Sequence, residues 1–234
     1  MRKIIFTFAA FVLLATMAGG TVFATDNPLH GKIIALDAGH GGGETGATNV
    51  IDGVLITEAE VNLSVVNALK LKLEGQQAYV IVADQLATRR ERVNDAIAKC
   101  AAFDLNNDGV GDKCDALVSV HHNGSTNHGY DGTLVIYNEK KDKPLAEKML
   151  AALTPLTGNS DGLENGGYGM TVYGNLVSVI TEAYYITNDA KASRYLSDLN
   201  ADGTSKLVIE EADAQVKGLS DYFASQTGGK GRSK

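Results

Sequence analysis

Short apolar runs alternate with amphipathic stretches along most of the chain, and no other sequence feature constrains the fold as strongly. The apolar runs are typical of buried strands. Strands that alternate with helices favour an α/β fold with a largely parallel or mixed central sheet flanked by helices, of the phosphorylase/hydrolase-like kind. We find no internal repeat and no sign of a second domain, so we expect a single domain. The strands are predicted in GKIIALDAGH, AYVIVA, DALVSVHH, GTLVIY and NLVSVITEAYYITN.

The first amphipathic stretch, TEAEVNLSVVNALKLKLEG, is predicted to form a helix. Its apolar residues Val61, Val65, Leu69 and Leu73 are spaced by four and therefore share one helix face. Thr57 is a suitable N-cap, because its hydroxyl can accept a hydrogen bond from a free backbone N–H of the first turn. Further helices are predicted in TRRERVNDAIAKCAAF, in DKPLAEKMLAALTPL and from Leu207 to Phe223.

Residues 1–24 have the pattern of a signal peptide. Arg2 and Lys3 precede an apolar stretch, and the small-residue ending at Ala24 fits a cleavage site. The stretch is shorter than the roughly 20 residues that span a bilayer, so we expect export and cleavage without stable membrane insertion. The alternative is a membrane anchor. The basic, Gly-rich tail at 227–234 is predicted to be disordered.

The exported chain is expected to be acidic, which excludes one class of partner. The full sequence has a formal net charge of −7. Cleavage after residue 24 removes two basic and no acidic residues and leaves −9. Since nucleic-acid-binding proteins carry a basic surface, we expect no nucleic-acid partner.

The chain contains two cysteines, Cys100 and Cys114. In an exported protein, an even number of closely spaced cysteines is most simply explained by one disulfide. The disulfide would close a loop of about 15 residues and stabilise the fold by roughly 3 kcal/mol in the chain-entropy model. The alternative is two free buried thiols.

Several candidate ligands follow the predicted strands. His40 comes just after the first strand, and His121 and Glu182 each end a later one. Glu58 begins the first helix and reaches the same rim if the connecting loop is short. Open α/β sheets bind ligands at the carboxyl ends of their strands. Two histidines and one carboxylate form the ligand set of catalytic zinc sites, and a further carboxylate could move protons. Taken singly, each histidine is more often structural than a metal ligand.

His121 is followed directly by His122 in the segment SVHHN. Successive residues of a strand point to opposite faces, so only one of the two histidines can face a shared site. Periodicity alone does not decide which one.

A second metal signal lies between the two cysteines, in DLNNDGVGDKCD. Its residues match the ligand positions of a calcium loop, although position twelve is an Asp instead of the usual bidentate Glu. The alternative is an acidic surface turn that binds no ion. The candidate calcium ligands are Asp104, Asn106, Asp108, Val110, Asp112 and Asp115.

Four segments, LDAGHGGGETGA, EAEVNL, LVSVHHN and VITEAYYITN, occur in this order between about Lys32 and Phe223. They match a His-Gly-Gly turn, a Glu four residues before Asn-Leu, a Ser-(Ile/Val)-His-x-Asn segment and a Glu-x-x-(Phe/Tyr)-(Ile/Leu)-(Ser/Thr)-Asn segment. Together they resemble the zinc-dependent N-acetylmuramoyl-L-alanine amidases, the amidase type 3 group of cell-wall hydrolases. The chain departs from the family pattern at Glu44, where Asp is usual, and in the lengths of two loops around the peptide-binding rim.

The resemblance implies that His40, Glu58 and His121 bind zinc and that Glu182 is the catalytic carboxylate. It selects His121 over His122, because the family's ligand is the first residue of the His-x-Asn triplet. Residues 25–226 would then form the catalytic domain, with the calcium-like loop as an insertion at 104–115.

The implied reaction is hydrolysis of the amide bond between N-acetylmuramic acid and L-alanine in peptidoglycan. Zinc-bound water would be the nucleophile, and Glu182 would act as general base and then general acid. We expect a monomer located in the periplasm or the extracellular cell wall, with peptidoglycan as its partner. Two alternatives are a non-catalytic peptidoglycan-binding or regulatory protein on the same scaffold and a zinc peptidase that cleaves wall peptides.

Overall fold

The computed structural model describes residues 27–227. The predicted signal peptide (1–24) lies outside this range, as does the predicted tail apart from its first residue, Thr227, which ends the last helix.

Eight strands form two sheets. The central sheet has six strands in the order β4-β1-β5-β8-β6-β7, and β2 pairs with β3 in a separate antiparallel hairpin. Neighbouring strands of the central sheet run parallel except for β6 and β8, which are antiparallel. The predicted α/β fold with a largely parallel, mixed sheet is therefore confirmed. The strands are β1 (Ile33–Ala38), β2 (Thr48–Ile51), β3 (Val54–Thr57), β4 (Tyr79–Val82), β5 (Ala116–Asn123), β6 (Thr133–Tyr137), β7 (Ser160–Asn165) and β8 (Ser178–Tyr185).

Six α-helices and one short 3-10 helix, Thr154–Leu156, connect the strands in the described part of the chain. Within residues 27–227, no helix has both the length and the apolar composition that a bilayer crossing requires. The α-helices are α1 (Glu58–Gly75), α2 (Arg89–Ala102), α3 (Lys143–Leu153), α4 (Gly169–Val172), α5 (Asp189–Ser197) and α6 (Lys206–Thr227).

The two faces of the sheet are covered by different helices, because successive strand residues point to opposite faces. Leu36 of β1 and Val118 of β5 face a large core formed with α1 and α3, on both of which α6 packs. Ala35 and Leu117, each one residue earlier, face a smaller core under α2 and α4. The molecule thus has three layers, and burial of both sheet faces explains why an inner strand such as β1 is almost uniformly apolar.

A buried ion pair anchors α2 to the sheet. Arg92 Nε donates to Asp37 Oδ1 at 2.8 Å, and the Ser119 hydroxyl donates to Asp37 Oδ2 at 2.6 Å. Arg92 and Asp37 are almost completely shielded from solvent, so both carboxylate oxygens need these donors.

Cys100 and Cys114 form a disulfide. It joins the end of α2 to the segment just before β5, and both residues belong to the smaller core. The predicted pairing is therefore confirmed.

The β2–β3 hairpin was not predicted, since the sequence analysis assigns no strand between Gly46 and Glu58. Its turn is Asp52-Gly53, with positive φ at both positions (49° and 80°). Asp-Gly between apolar runs is a strong hairpin signal, because type I′ turns require this backbone conformation. The hairpin ends at Thr57, whose hydroxyl accepts the Glu60 backbone N–H and caps α1 as predicted.

Candidate metal centre

The four residues predicted for the active site come together at the carboxyl end of the central sheet. His40 lies in the turn after β1, and Glu58 is the first residue of α1. His121 and Glu182 are register partners on the adjacent parallel strands β5 and β8. Strand order accounts for the proximity of His40, His121 and Glu182, because β1, β5 and β8 are consecutive neighbours in the sheet.

Three of these residues form a compact group of metal-ligand atoms. His40 Nε2 lies 3.1 Å from Glu58 Oε2, and His121 Nδ1 lies 2.9 Å from Glu58 Oε1. One ligand atom from each of the three residues lies within 4.8 Å of the others. Within residues 27–227, no other group of three or more His, Cys, Asp or Glu residues is arranged in this way.

The environment favours the protonation states that a metal needs. Burial by itself would raise the pKa of Glu58, but hydrogen bonds from His121 and His40 and the charge of His121 lower it well below its ordinary value. Burial lowers the pKa of His121, although Glu58 opposes the shift. An ionised carboxylate and a neutral imidazole are the forms that bind divalent metals.

The arrangement and chemistry of these three side chains suit a bound cation. His121 Nδ1 and His40 Nε2 lie 2.9 and 3.1 Å from the Glu58 carboxylate, so the ligand atoms of all three side chains converge on one place. Two imidazoles and one carboxylate match the donor set of catalytic zinc sites, in which three protein ligands leave a position open. His40, Glu58 and His121 therefore fit a zinc ion.

Two glycines of the LDAGHGGGETGA segment make this close approach possible. A Cβ on Gly39 would overlap the ring of His121, and a Cβ on Gly46 would overlap the Glu58 carboxylate and crowd His40. The glycine-rich character of this segment is therefore required by side-chain packing as well as by the turn itself.

Glu182 faces a cavity of about 320 Å³ beside the three candidate ligands. Its Oε2 is buried without a hydrogen-bond partner. Burial raises the pKa of the Glu182 carboxyl well above its ordinary value, the charge of Glu58 raises it further, and Arg89 acts in the opposite direction. A carboxyl with a free oxygen and a raised pKa is suited to proton transfer.

The cavity also contains residues that the sequence did not single out. The Tyr168 hydroxyl donates to Glu164 Oε1 at 2.9 Å, and the guanidinium of Arg89 lies 5.9 Å from the Tyr168 ring. All three residues line the cavity. Arg89 comes from the segment TRRERV, in which Arg90 beside it is also exposed, and no local signal separates the two.

The two adjacent histidines have different environments, as strand alternation requires. His121 belongs to the candidate metal group. His122 packs on the other side of the sheet, where its ring contacts Asn62 of α1 and Glu211 of α6. Glu44 stays at the rim, with Oε2 3.7 Å from His40 Nδ1.

The predicted calcium loop lies between α2 and β5. Asp104 accepts backbone N–H groups from Asp108 and Gly109 at 3.2 and 2.8 Å, and Asp115 accepts the N–H of Ile33 at 2.8 Å. The loop carboxylates form no group of three ligand atoms within 4.8 Å in the described range. Calcium binding stays a prediction.

The chain was compared with protein families and curated proteins. The family model described as N-acetylmuramoyl-L-alanine amidase matches residues 34–210. The chain is 28% identical over 176 residues to the N-acetylmuramoyl-L-alanine amidase LytC of Bacillus subtilis, covering 72% of this chain and 32% of LytC. It is 28% identical over 204 residues to the probable cell wall amidase LytH of Staphylococcus epidermidis, covering 86% of this chain and 62% of LytH. The chain therefore spans only about one third and three fifths of these two relatives.

Solved structures of similar fold carry the same family description. The catalytic domain of CwlV from Bacillus (Paenibacillus) polymyxa superposes with a TM-score of 0.66 at 21% identity, over 82% of this chain and 98% of that domain. AmiC2 of Nostoc punctiforme gives a TM-score of 0.65 at 21% identity, over 82% and 97%. At this level of identity the likeness establishes the shared fold.

Proposed function

This chain belongs to the N-acetylmuramoyl-L-alanine amidase family, and from that premise we propose that it hydrolyses the amide bond between N-acetylmuramic acid and L-alanine in peptidoglycan. One observation carries the proposal above all others. Three residues from distant parts of the sequence, His40, Glu58 and His121, bring their ligand atoms within 4.8 Å of one another. Glu182 lines the same cavity.

His40, Glu58 and His121 are proposed to hold a zinc ion. Two histidines and a carboxylate leave a coordination position open for water or substrate. When bound, zinc lowers the pKa of its water to about 7 and polarises the amide carbonyl. The lowered pKa values of Glu58 and His121 support this role, because the deprotonated side chains have free lone pairs that can bind the metal.

Glu182 is proposed as the general base and acid. Its unbonded Oε2 faces the cavity side of the site and is available to accept a proton from the attacking water. The same carboxyl then delivers the proton to the amine of the leaving L-alanine residue. One residue can serve both steps because water adds to the same carbonyl carbon from which the amine leaves.

The cavity beside Glu182 is proposed to receive the peptide stem. Arg89 brings a guanidinium to a lining that also contains the carboxylates of Glu58, Glu164 and Glu182. A guanidinium pairs well with a carboxylate, so Arg89 is suited to a carboxylate of the stem peptide. Tyr168 offers an aromatic surface next to it.

The site of action is proposed to be the cell wall, after export, with the protein acting as a monomer in the periplasm or the extracellular wall. The similarity to LytH, a probable cell wall amidase, supports the location. The acidic net charge suits a protein that recognises the wall through a local site, since an acidic surface is not attracted to anionic polymers as a whole.

The experiment that tests the proposal is digestion of purified peptidoglycan by the purified protein. We expect new free amino termini on L-alanine, loss of the reaction with a chelator and recovery on addition of zinc. New amino termini within the peptide instead would indicate the zinc peptidase alternative. Sedimentation with the wall without any new chain ends would indicate the non-catalytic alternative.

A further inference from the structure

A chain of three buried polar side chains lies directly behind the candidate metal centre. Asn62 of α1, His122 of β5 and Glu211 of α6 are exposed by 0%, 1% and 0%. Such groups are costly to bury unless each donor and acceptor has a partner. None of the three belongs to the metal-ligand group or acts in the proposed reaction, so their presence requires a separate explanation.

The orientation of the Asn62 side chain is set by a carbonyl that can only accept. Asn62 Nδ2 donates to the Gly39 carbonyl at 2.8 Å and lies 3.5 Å from Glu58 Oε1. Asn62 Oδ1 therefore faces His122 Nδ1, at 2.7 Å. His122 Nδ1 must carry the hydrogen of this bond, because an amide oxygen has none to offer.

The other nitrogen of His122 is held just as closely. His122 Nε2 lies 2.8 Å from Glu211 Oε2, and Glu211 Oε1 accepts Gln215 Nε2 at 3.0 Å. The Tyr184 ring packs against the imidazole with a centroid separation of 4.3 Å. The imidazole is thus held at both nitrogens and on one face.

Each of the three ligand-bearing segments is contacted by this chain. Asn62 holds the carbonyl of Gly39, the residue before His40, and approaches the Glu58 carboxylate. The backbone N–H of His122, the residue after His121, donates to Glu58 Oε1 at 3.1 Å. A displacement of Asn62 or His122 would therefore be transmitted to all three segments.

We propose that the link between Asn62 and His122 positions the metal ligands, and that Glu211 of the C-terminal helix α6 holds the His122 imidazole in place behind it. This inference rests on the proposed zinc site. Side chains that do not bind the metal but hydrogen-bond to its ligands orient those ligands, and their removal typically weakens metal affinity 10- to 100-fold. These are positioning residues, since all three act through His40, Glu58 and His121.

Two substitutions at His122 separate positioning from simple packing. In His122→Asn, the amide nitrogen can take the place of Nδ1 and keep the bond to Asn62, but the bond to Glu211 is lost. In His122→Gln, the longer side chain can keep a donor to Glu211 but cannot reach Asn62. We expect about 10- to 100-fold weaker zinc binding for His122→Gln, and binding within about threefold of the unmodified protein for His122→Asn.

The measurement is zinc affinity, obtained by competition with a chromogenic chelator of known affinity. The unfolding temperature of each zinc-free protein is recorded alongside it. His122→Asn leaves Oε2 of the buried Glu211 carboxylate without its His122 partner, so it should lose at least as much thermal stability as His122→Gln. If zinc affinity instead follows thermal stability, or if neither variant changes affinity by more than threefold, the positioning role is wrong.

A second variant decides the matter if neither His122 variant folds. Asn62→Ala removes the link within a helix that tolerates alanine, and Asn67→Ala is its control at an exposed position of the same helix. Zinc binding at least tenfold weaker for Asn62→Ala alone supports the proposal, and equal binding by the two variants overturns it. An unmodified protein that binds no zinc would overturn the proposed function as well, which distinguishes the two failures.

Discussion

At the scale of single residues, the candidate site depends as much on glycines, which have no side chain, as on functional groups. Gly39 and Gly46 allow the His121 ring and the Glu58 carboxylate to approach the turn that carries His40. His40 itself has a φ of 63°, a conformation that is uncommon for residues other than glycine. The backbone of this short turn therefore sets the position of His40 and leaves room for the side chains of Glu58 and His121.

Gly39→Ala should disrupt the site without unfolding the protein. The added Cβ would overlap the His121 ring, and a displacement of about 1 Å at a catalytic site can cost roughly 100-fold in rate. We expect a loss of this size in kcat/KM, together with weaker zinc binding. Gly75→Ala is the control, because a Cβ there meets no atom within 4 Å. Full activity of Gly39→Ala would contradict this account of the turn.

Glu182 and His40 should fail in different ways when they are replaced. Glu182→Ala is expected to lose the roughly 100- to 10,000-fold in kcat that general acid–base catalysis supplies, with zinc still bound. His40→Ala is expected to lose the metal itself. Turnover and zinc content measured on the same preparations check both, with the exposed Glu147→Gln as control. Near-normal turnover by Glu182→Ala would show that the proton-transfer role is misassigned.

At the scale of secondary-structure elements, α1 and β5 each carry both a candidate ligand and a residue of the positioning chain. Helix α1 begins with Glu58, where the partial positive charge of a helix N-terminus favours a carboxylate, and Asn62 follows one turn later. Strand β5 carries His121 and His122 on opposite faces. The disulfide and the calcium-like loop lie immediately before β5, so they bear on stability near the site.

Loss of the disulfide should lower stability more than activity. For Cys100→Ala combined with Cys114→Ala, we expect the free energy of unfolding to fall by about 3 kcal/mol in the chain-entropy model. Activity should persist under native conditions, since neither sulfur lines the cavity that holds Glu182. Urea titration of the variant and of the reduced unmodified protein should agree. A difference below about 1 kcal/mol from the oxidised protein would argue against this contribution.

Calcium should stabilise the chain if the loop at 104–115 binds it. Millimolar calcium, at fixed zinc concentration, is expected to raise the unfolding temperature because a ligand that binds only the native state stabilises it. Asp108→Asn with Asp104→Asn should remove the effect. Unchanged melting curves with calcium and with a calcium-selective chelator would favour the acidic surface turn.

At the scale of the whole molecule, the candidate metal site connects segments that are far apart in sequence. The turn after β1, the start of α1 and the end of β5 meet there, and α6 contacts His122 directly behind the site through Glu211. The candidate ligands therefore come together only when these segments pack in the folded protein. Metal binding should be linked to global stability.

Zinc should raise the stability of the folded protein by mass action. At a free zinc concentration 100 times the Kd, the gain is about 2.7 kcal/mol, provided that the unfolded chain does not bind the ion. Thermal unfolding with zinc and with chelator measures it. His40→Ala should show no such shift, and a zinc-dependent shift of equal size in that variant would mean that zinc acts at another site.

Much of the fold and of the candidate site was predictable from the sequence because the relevant signals are local. Apolar runs, helical spacing and the Thr57 cap predict the main strands and α1, and strand alternation separates the environments of His121 and His122. The Asp52-Gly53 turn of the unpredicted hairpin also has a local signal. Strand β7 has none, since SDGLEN at the sheet edge contains a single apolar residue, Leu163.

By itself, then, the sequence determined the α/β class, the disulfide partners and the identities of His40, Glu58, His121 and Glu182 as candidates. Only the tertiary structure decided the antiparallel direction of β6, the cavity position of Arg89 and the contact between His122 and Glu211. The physical reason is that caps and periodicity act over a few residues, whereas these features depend on packing between segments that are distant along the chain.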